Sequence, residues 1–559
     1  MQTNTNHTTT FYAQWQSAPP ALMVGALLLL GCFFFFPFLG SVPLFDWDEV
    51  NFAESAREMA LTGNYSRVQI GFEPFWEKPP LFFWMQAAAM HLFGVNEWAA
   101  RFPNAVFGLI TLLTLFITGK RWQHSGFGFL WAVTYLGSIL PHLYFKSGII
   151  DPVFNYFIFL SIIGLIEAHK TPIPATRWYI FAGATAGLAV LTKGPAGLLI
   201  ILLTSGLVWV WHRLVWKQPM GLTFKNLFVF TAVTLLVSSV WFGIETLQNG
   251  PWFVKEFFTY QIRLLSTPDA GHAQPFFYHW VVVLVGCFPM SVWAIPAFFN
   301  RQSYRVMPHL VMICLFFVVM VLFTLVKTKI VHYSSMAYLP LSFLAASYLQ
   351  GLLQGNYKLT RFVQVMLAVL GFVWALVFWA LPFVAANTNL LLPYIKDPFA
   401  VACLQTPVQW QGWEQSIAIL MLAGLSAALF LLRKKTLPAV LLLYACTAIC
   451  LWVYMWAVAP KIEQYTQAPM IRFYQQMEGK NVYAEPIGFK SYAQYFYFNL
   501  PPNHRPPHYS DEWLLTGAID KPAYLITKIN RTKLVTDKAP DAQLLKTEGG
   551  FAFFERRPH

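Results

Sequence analysis

Apolar runs of roughly 18 to 25 residues recur along the chain between short polar stretches, and about thirteen of them are long enough to cross a bilayer as helices. They lie near 21–39, 98–118, 127–145, 150–168, 178–192, 195–212, 226–246, 278–298, 308–326, 334–353, 361–384, 415–432 and 437–458. Only Thr192-Lys193-Gly194-Pro195 separates the fifth run from the sixth, so that boundary is the weakest. Beyond the last run the pattern changes. Residues 460–559 are mixed and charged, with strand-like NVYAEP, PAYLITKI and FAFFERR and a Pro-rich turn at LPPNHRPPHYS. The expected architecture is an all-α polytopic membrane domain over 1–459 and a small α/β domain over 460–559.

Two stretches between runs, 40–97 and 246–277, are long enough to carry structure of their own. In the first, Asp46 or Asp48 can cap a short helix in which Phe52, Ala56, Met59 and Ala60 share one face, while Glu54, Arg57 and Glu58 lie elsewhere. Thr62-Gly63-Asn64 ends that helix. Pro79-Pro80 disfavours helix at Lys78 and can open a second one, rich in Phe82, Phe83, Trp84 and Met85, suited to lying in the interfacial plane. Two in-plane helices then flank an extended Glu77-Lys78 hinge. Taken alone, Asp48 reads equally well as a helix cap and Glu77-Lys78 as a solvated pair.

Composition agrees with a membrane protein: of 559 residues, 57% are hydrophobic and 11% charged, against about a quarter charged in soluble domains. No basic segment precedes the first run, so no cleaved leader is expected, and Met1 to Pro20 reads as a loose polar tail. The net charge of +13 is dispersed between the runs rather than gathered in a patch, which argues for membrane orientation and against nucleic acid. Assigning loops alternately puts Lys120, Arg121, Lys170, Arg177, Arg213, Lys217, Lys225, Arg301, Arg305, Lys358, Arg361 and Arg433-Lys434-Lys435 inside, with Glu167 the only acid. Five of the six cysteines fall in apolar runs and only Cys403 in a loop, so no disulfide framework is expected.

The same assignment gathers Asp48, Glu77, Lys78, Lys146, Asp151, Lys193, Arg263, Asp269, His272, Lys327, Lys329 and His332 on the outer side. Several stand at the ends of runs, in FKSGIIDP, LTKGPAG and VKTKIVHY, where a charge needs partners or water. A single lysine such as Lys193 reads as snorkelling. Together they describe a polar cavity over the outer helix ends.

In this order, WDEVNFAESAREM, FWEKPPLFFW, SGIIDPVFNYF, LTKGPAG, PDAGHAQPFFYHW and TKIVHYSSMAYLPL resemble the aminoarabinose-type lipid A glycosyltransferases. More distantly they resemble the protein O-mannosyltransferases, both being of the GT-C class. The resemblance implies a GT-C membrane domain with juxtamembrane helices on the periplasmic side. It also implies transfer of a sugar, with inversion, from a polyprenyl-phosphate carrier such as undecaprenyl phosphate to lipid A, a glycan or a protein. The implied place is the bacterial inner membrane, with a cytoplasmic N-terminus, and a monomer is expected.

Carried over residue by residue, Asp48 of the Asp48-Glu49 pair matches the family's catalytic carboxylate and Asp151 the second acidic position. Glu77 and Lys78 match the hinge whose lysine is expected near the carrier phosphate. Lys193, Arg263, His272 and Lys329 match further polar positions, with His332 and Tyr333 beside them. Two departures bear on sugar and acceptor: Asn51 stands where the aminoarabinose enzymes place an arginine, and His332 where they carry a proline-threonine stretch.

Elementary chemistry agrees with the resemblance. A leaving phosphate needs cations, which Lys78, Lys193, Arg263 and Lys329 supply, and a carboxylate such as Asp48 can take the acceptor proton or support an oxocarbenium-like centre. No cofactor is required, although Glu77 with His272 is a candidate pair for zinc, weighed against plain hydrogen bonding. The rival from another class is a transporter or flippase of lipid-linked sugars. Such proteins show paired repeats and ionisable residues near the bilayer midplane, and neither pattern is present here.

Overall fold

The apolar runs fold as helices. The computed structural model describes residues 19–170, 175–218, 223–266 and 274–558, and the polar tail through residue 18 lies outside them. Among the described residues nine helices are long and apolar enough to span a membrane, or ten if the bent pair Tyr278–Gly286 and Met290–Phe299, meeting at 115°, is one crossing. The other three expected runs fall short for visible reasons. The first helix, Pro20–Phe35, has only 16 residues, and the run at 127–145 breaks into Ser125–Leu136 and Ile139–Tyr144. Thr176–Lys193 carries Arg177 and Lys193 and is rich in small residues. The weak boundary is a true break, because Gly194 at φ 97° ends that helix, and a Cβ there would strike the Phe257 ring. Only glycine lets the Trp252–Ser266 helix approach the turn that carries Lys193.

Both helices expected in the 40–97 stretch form, as Asp48–Thr62 and Leu81–Phe93, joined through a short antiparallel hairpin of β1 (Gln69–Ile70) and β2 (Glu73–Pro74). The first ends in Gly63 at φ 70°, whose N–H donates to the Met59 carbonyl at 3.0 Å. Phe52 meets the Phe82 and Phe83 rings at centroid distances of 6.2 and 5.6 Å. Such a fully buried side chain contributes about 1.5–3 kcal/mol.

The opposite face of the Asp48–Thr62 helix is buried too, which the periodicity does not foretell. Arg57 donates to both Glu54 oxygens at 2.7 Å, to Asn499 Oδ1 at 2.9 Å and to the Leu500 carbonyl at 3.0 Å. The helix is therefore a layer between the membrane domain and the C-terminal domain. Glu58 accepts the Phe72 N–H on both oxygens, at 3.0 and 3.1 Å. Burial, and next the Glu54 charge, push the Glu58 carboxyl up to about 9. A raised folded value makes a stability contribution that is complete below about 4.5 and is lost as pH rises through about 9. Glu58→Gln keeps the neutral shape. The expected result is that the variant's unfolding midpoint in detergent gains on wild type steadily between pH 5 and about 9; a constant difference across that range would contradict the buried proton.

The C-terminal part carries a four-stranded sheet in the order β3-β4-β6-β5, from β3 (Tyr483–Pro486), β4 (Ala523–Lys528), β5 (Gln543–Glu548) and β6 (Phe551–Arg556). The β3/β4 pair is parallel and the others are antiparallel. Alternation along the strands sorts two cores. Leu525, Ala552 and Phe554 pack with Leu514 and Val535, whereas Ile526, Phe551 and Phe553 join the large core shared with the membrane domain. Strand β5 is mostly exposed and lacks alternation, so its sequence carries no strand signal.

Candidate active site

Several elements bring together the charges that the sequence assigns to one side. Asp48 is the first residue of its helix, and its side chain, 41% exposed, makes no capping hydrogen bond. The cap reading of Asp48 thus has no support in the geometry. The residue before it, Trp47, is held at φ 83°, a region costly for a side-chain-bearing residue and one that gathers at functional sites. Its neighbours hold it there: the Asn51 N–H donates to the Trp47 carbonyl at 2.9 Å, and Asp46 accepts Ser491 Oγ at 2.6 Å and the Tyr492 N–H at 3.1 Å. Asp46 is therefore an anchor to the C-terminal domain rather than a cap.

Asp151 opens the Asp151–Lys170 helix, and Lys193 Nζ lies 2.6 Å from its Oδ1. His332, in the 3-10 turn Val331–Ala337, sits between the two carboxylates, with Nε2 3.4 Å from Asp48 Oδ2 and 3.9 Å from Asp151 Oδ2. Lys193 also stands over the Tyr333 ring at 5.1 Å. That turn is pinned from below. Asn155 Nδ2 donates to Ser335 Oγ at 2.8 Å and to the Tyr144 hydroxyl at 2.9 Å, and the Ser335 hydroxyl donates to the His332 carbonyl. Beside this row, Lys78 and the Arg263 guanidinium both stand over the Tyr260 ring, at 5.2 and 5.1 Å, and Lys78 lies 3.9 Å from Glu77.

Glu49 does not face a cavity. It is buried, and takes Arg101 on both oxygens, at 3.0 and 2.6 Å, the Phe45 N–H at 2.8 Å and the Gly148 N–H. Burial alone would raise its carboxyl, but Arg101 and these N–H groups outweigh it and hold Glu49 below the usual carboxylate range. Gly148 belongs to the loop that leads into Asp151, whose Ser147 and Ile149 carbonyls accept Asn104 Nδ2 at 2.6 and 2.7 Å. Glu49 is thus a strut tying the Asp48 helix to the Asp151 loop. Arg101 and Asn104, both unremarked in the sequence reading, hold the strut's other end.

Two of the outer lysines have structural surroundings instead. Lys329 Nζ donates to the Thr324 and Val326 carbonyls at 2.8 and 2.6 Å and to Phe323 at 3.3 Å, closing the end of the Met307–Leu325 helix. Lys146 does the same for Pro20–Phe35, through Phe34, Phe35 and Pro37. The ammonium of Lys329, expected near the phosphate, is thus engaged by backbone carbonyls in this structure. His272 and Asp269, with the proposed Glu77–His272 metal pair, fall outside the described residues. Among the described residues no group of three or more His, Cys, Asp or Glu is arranged to hold a metal ion.

Comparison with known proteins agrees with the fold. A family described as dolichyl-phosphate-mannose-protein mannosyltransferase matches residues 77–241. Relatives named undecaprenyl phosphate-alpha-4-amino-4-deoxy-L-arabinose arabinosyl transferase 2 include one from Proteus mirabilis, 26% identical over 59% of this chain and 60% of its own length. Another, from Pseudomonas fluorescens, is 29% identical over 45% of this chain and 46% of its own length. The chain thus spans about half the length of these curated relatives. A crystal structure of ArnT from Cupriavidus metallidurans bound to undecaprenyl phosphate superposes with a TM-score of 0.73, covering 96% of this chain and 97% of that one at 18% identity. The chain has that fold, and it resembles the aminoarabinose-type transferases in sequence.

Proposed function

We propose that this chain is an integral-membrane glycosyltransferase that moves a sugar from a polyprenyl-phosphate donor, undecaprenyl phosphate being the carrier named for its relatives, to an acceptor on lipid A, a glycan or a protein. The observation that carries this reading is the row Asp48, His332, Asp151 and Lys193 beside the Lys78 and Arg263 cations. The acceptor oxygen attacks the anomeric carbon as the carbon–oxygen bond to the phosphate breaks. The proton of that oxygen passes to Asp48, and polyprenyl phosphate leaves as an anion, so the anomeric centre is inverted. Lys78 and Arg263 meet the departing charge, and Lys193 has N–H donors beyond the one directed at Asp151. His332 holds Asp48 in place and can relay the proton. No metal is needed for any of these steps.

Residues 1–459 then form the catalytic domain, with outer loops 40–97 and 246–277, and 460–559 a periplasmic domain that holds the Asp48 helix from above. The chain sits in the bacterial inner membrane with its N-terminus in the cytoplasm, which the basic inner loops support. In a background lacking the six cysteines, Ser510→Cys is expected to react with an impermeant thiol reagent in intact spheroplasts; reaction only after the membrane is opened would reverse the orientation.

The donor side is tested at Lys78. A charge-assisted bond to phosphate is worth about 1.5–3 kcal/mol, so Lys78→Met is expected to raise the KM for donor by about ten- to a hundred-fold, with Lys78→Arg retaining part of the affinity. An unchanged donor KM in the Met variant would assign Lys78 to the interface alone.

A further inference from the structure

A cavity of about 680 Å³ opens beside the Phe45-Asp46-Trp47 loop, where the end of the Arg361–Ala386 helix meets the C-terminal domain. Its volume lies within the range of about 300–1,000 Å³ typical of small-molecule sites. The walls are apolar, with Leu381, Leu391, Leu404, Ile462 and Met470 among them, and two cations, Lys490 and Lys528, stand at its rim. Lys490 lies over the Trp47 and Tyr492 rings at 5.2 and 4.9 Å, and Lys528 over the Phe399 and Phe489 rings at 4.5 and 5.5 Å. No ion pair among the described residues involves either ammonium. The acids nearby are already engaged: Asp46 with Ser491 and Tyr492, and Asp397 with the Phe399 N–H and Asn530 Nδ2, both at 3.0 Å.

Two ammonium groups without carboxylate partners among the described residues, beside an apolar trough, fit a lipid with an anionic head. We infer that this cavity holds an anionic glycerophospholipid of the surrounding leaflet, its phosphate between Lys490 and Lys528 and an acyl chain along the apolar wall. Charge complementarity selects the headgroup, since a zwitterionic lipid brings a cation of its own toward the two lysines. The site does not depend on the transferase reading. It adjoins the reaction centre through the Phe45-Asp46-Trp47 loop, in which the strained backbone of Trp47 precedes Asp48 and its ring is covered by Lys490. Bound lipid would therefore brace the loop that aims Asp48.

Native mass spectrometry of the full chain, released from detergent with phosphatidylglycerol or phosphatidylcholine added, tests the inference. Wild type is expected to retain phosphatidylglycerol at collision energies that strip phosphatidylcholine, and the Lys490→Gln/Lys528→Gln double variant to lose that preference by about tenfold or more. The Lys490→Arg/Lys528→Arg variant keeps the charge and is expected to keep the lipid, which separates lost binding from lost folding. Phosphatidylglycerol should also raise the thermal midpoint of wild type and of the Arg variant, but not of the Gln variant. Equal retention of both lipids by wild type would overturn the site, as would retention unchanged in the Gln variant. So would a Gln variant that binds phosphatidylglycerol normally but shows a raised KM for the sugar acceptor, because the cavity would then belong to the acceptor.

Discussion

Asp48→Asn is expected to lower sugar transfer by about a hundred- to ten-thousand-fold while leaving donor binding nearly intact, because the amide keeps the shape of the side chain and loses its basicity. A sugar or serine hydroxyl is almost wholly protonated near neutral pH and needs a base as it attacks. A phosphate acceptor, with a second pKa of about 6, is already an anionic nucleophile and needs only to be oriented. Asn51 lies one turn along the helix, buried, its Oδ1 without a hydrogen-bond partner among the described residues, and an amide there brings no charge to gather an anionic acceptor. His332 sits 3.4 Å from the Asp48 carboxylate, where it can take a proton onward. Both features favour a hydroxyl. Turnover and donor KM measured on the purified protein check this, and transfer within about threefold of wild type would remove Asp48 from the chemistry.

Arg101→Met is expected to destabilise the protein by about 3–5 kcal/mol, the cost of leaving a buried charge without its partner. The guanidinium satisfies Glu49 and also the Leu39, Val42 and Pro43 carbonyls, at 2.6, 2.8 and 2.9 Å, so its loss strips both a carboxylate and a chain turn of their donors. Glu49→Gln in the same background should recover part of the loss by removing the stranded charge. The depressed Glu49 carboxyl contributes stability above about pH 4.5 that is lost as pH falls through its lower folded value, so the double variant should lose less stability in acid than wild type does. Thermal unfolding in detergent reads both effects. A single variant as stable as wild type at neutral pH would show that the strut between Asp48 and the Asp151 loop is not under load.

Much of the fold was legible because membrane helices and half-buried strands declare themselves by period and length. The helix ends at Gly63 and Pro80 and the strands in NVYAEP, PAYLITKI and FAFFERR follow from such local rules. The site was legible as a set of charges on one side, but not in its connections. Asp48 and Asp151 are far apart in sequence, and nothing local says that His332 bridges them. Span-end lysines are ambiguous for a physical reason: Lys193 meets a carboxylate, whereas Lys146 and Lys329 meet the bare carbonyls of a helix terminus. Arg101 was the missed signal, since an arginine in the first turns of an otherwise apolar run marks a buried partner. The burial of Glu54, Arg57 and Glu58 was not legible because the partners that cover Arg57, Asn499 and Leu500, lie more than four hundred residues away.

Transfer and transport differ in the fate of the carrier lipid. Purified protein in liposomes, given a polyprenyl-phosphate-linked sugar and a lipid A, glycan or peptide acceptor, should release free polyprenyl phosphate in step with glycosylated acceptor. Asp48→Asn should bind the donor and release almost none. Donor that crosses the liposome membrane with its sugar still attached, and no polyprenyl phosphate formed with any acceptor, would make the protein a transporter and not a transferase.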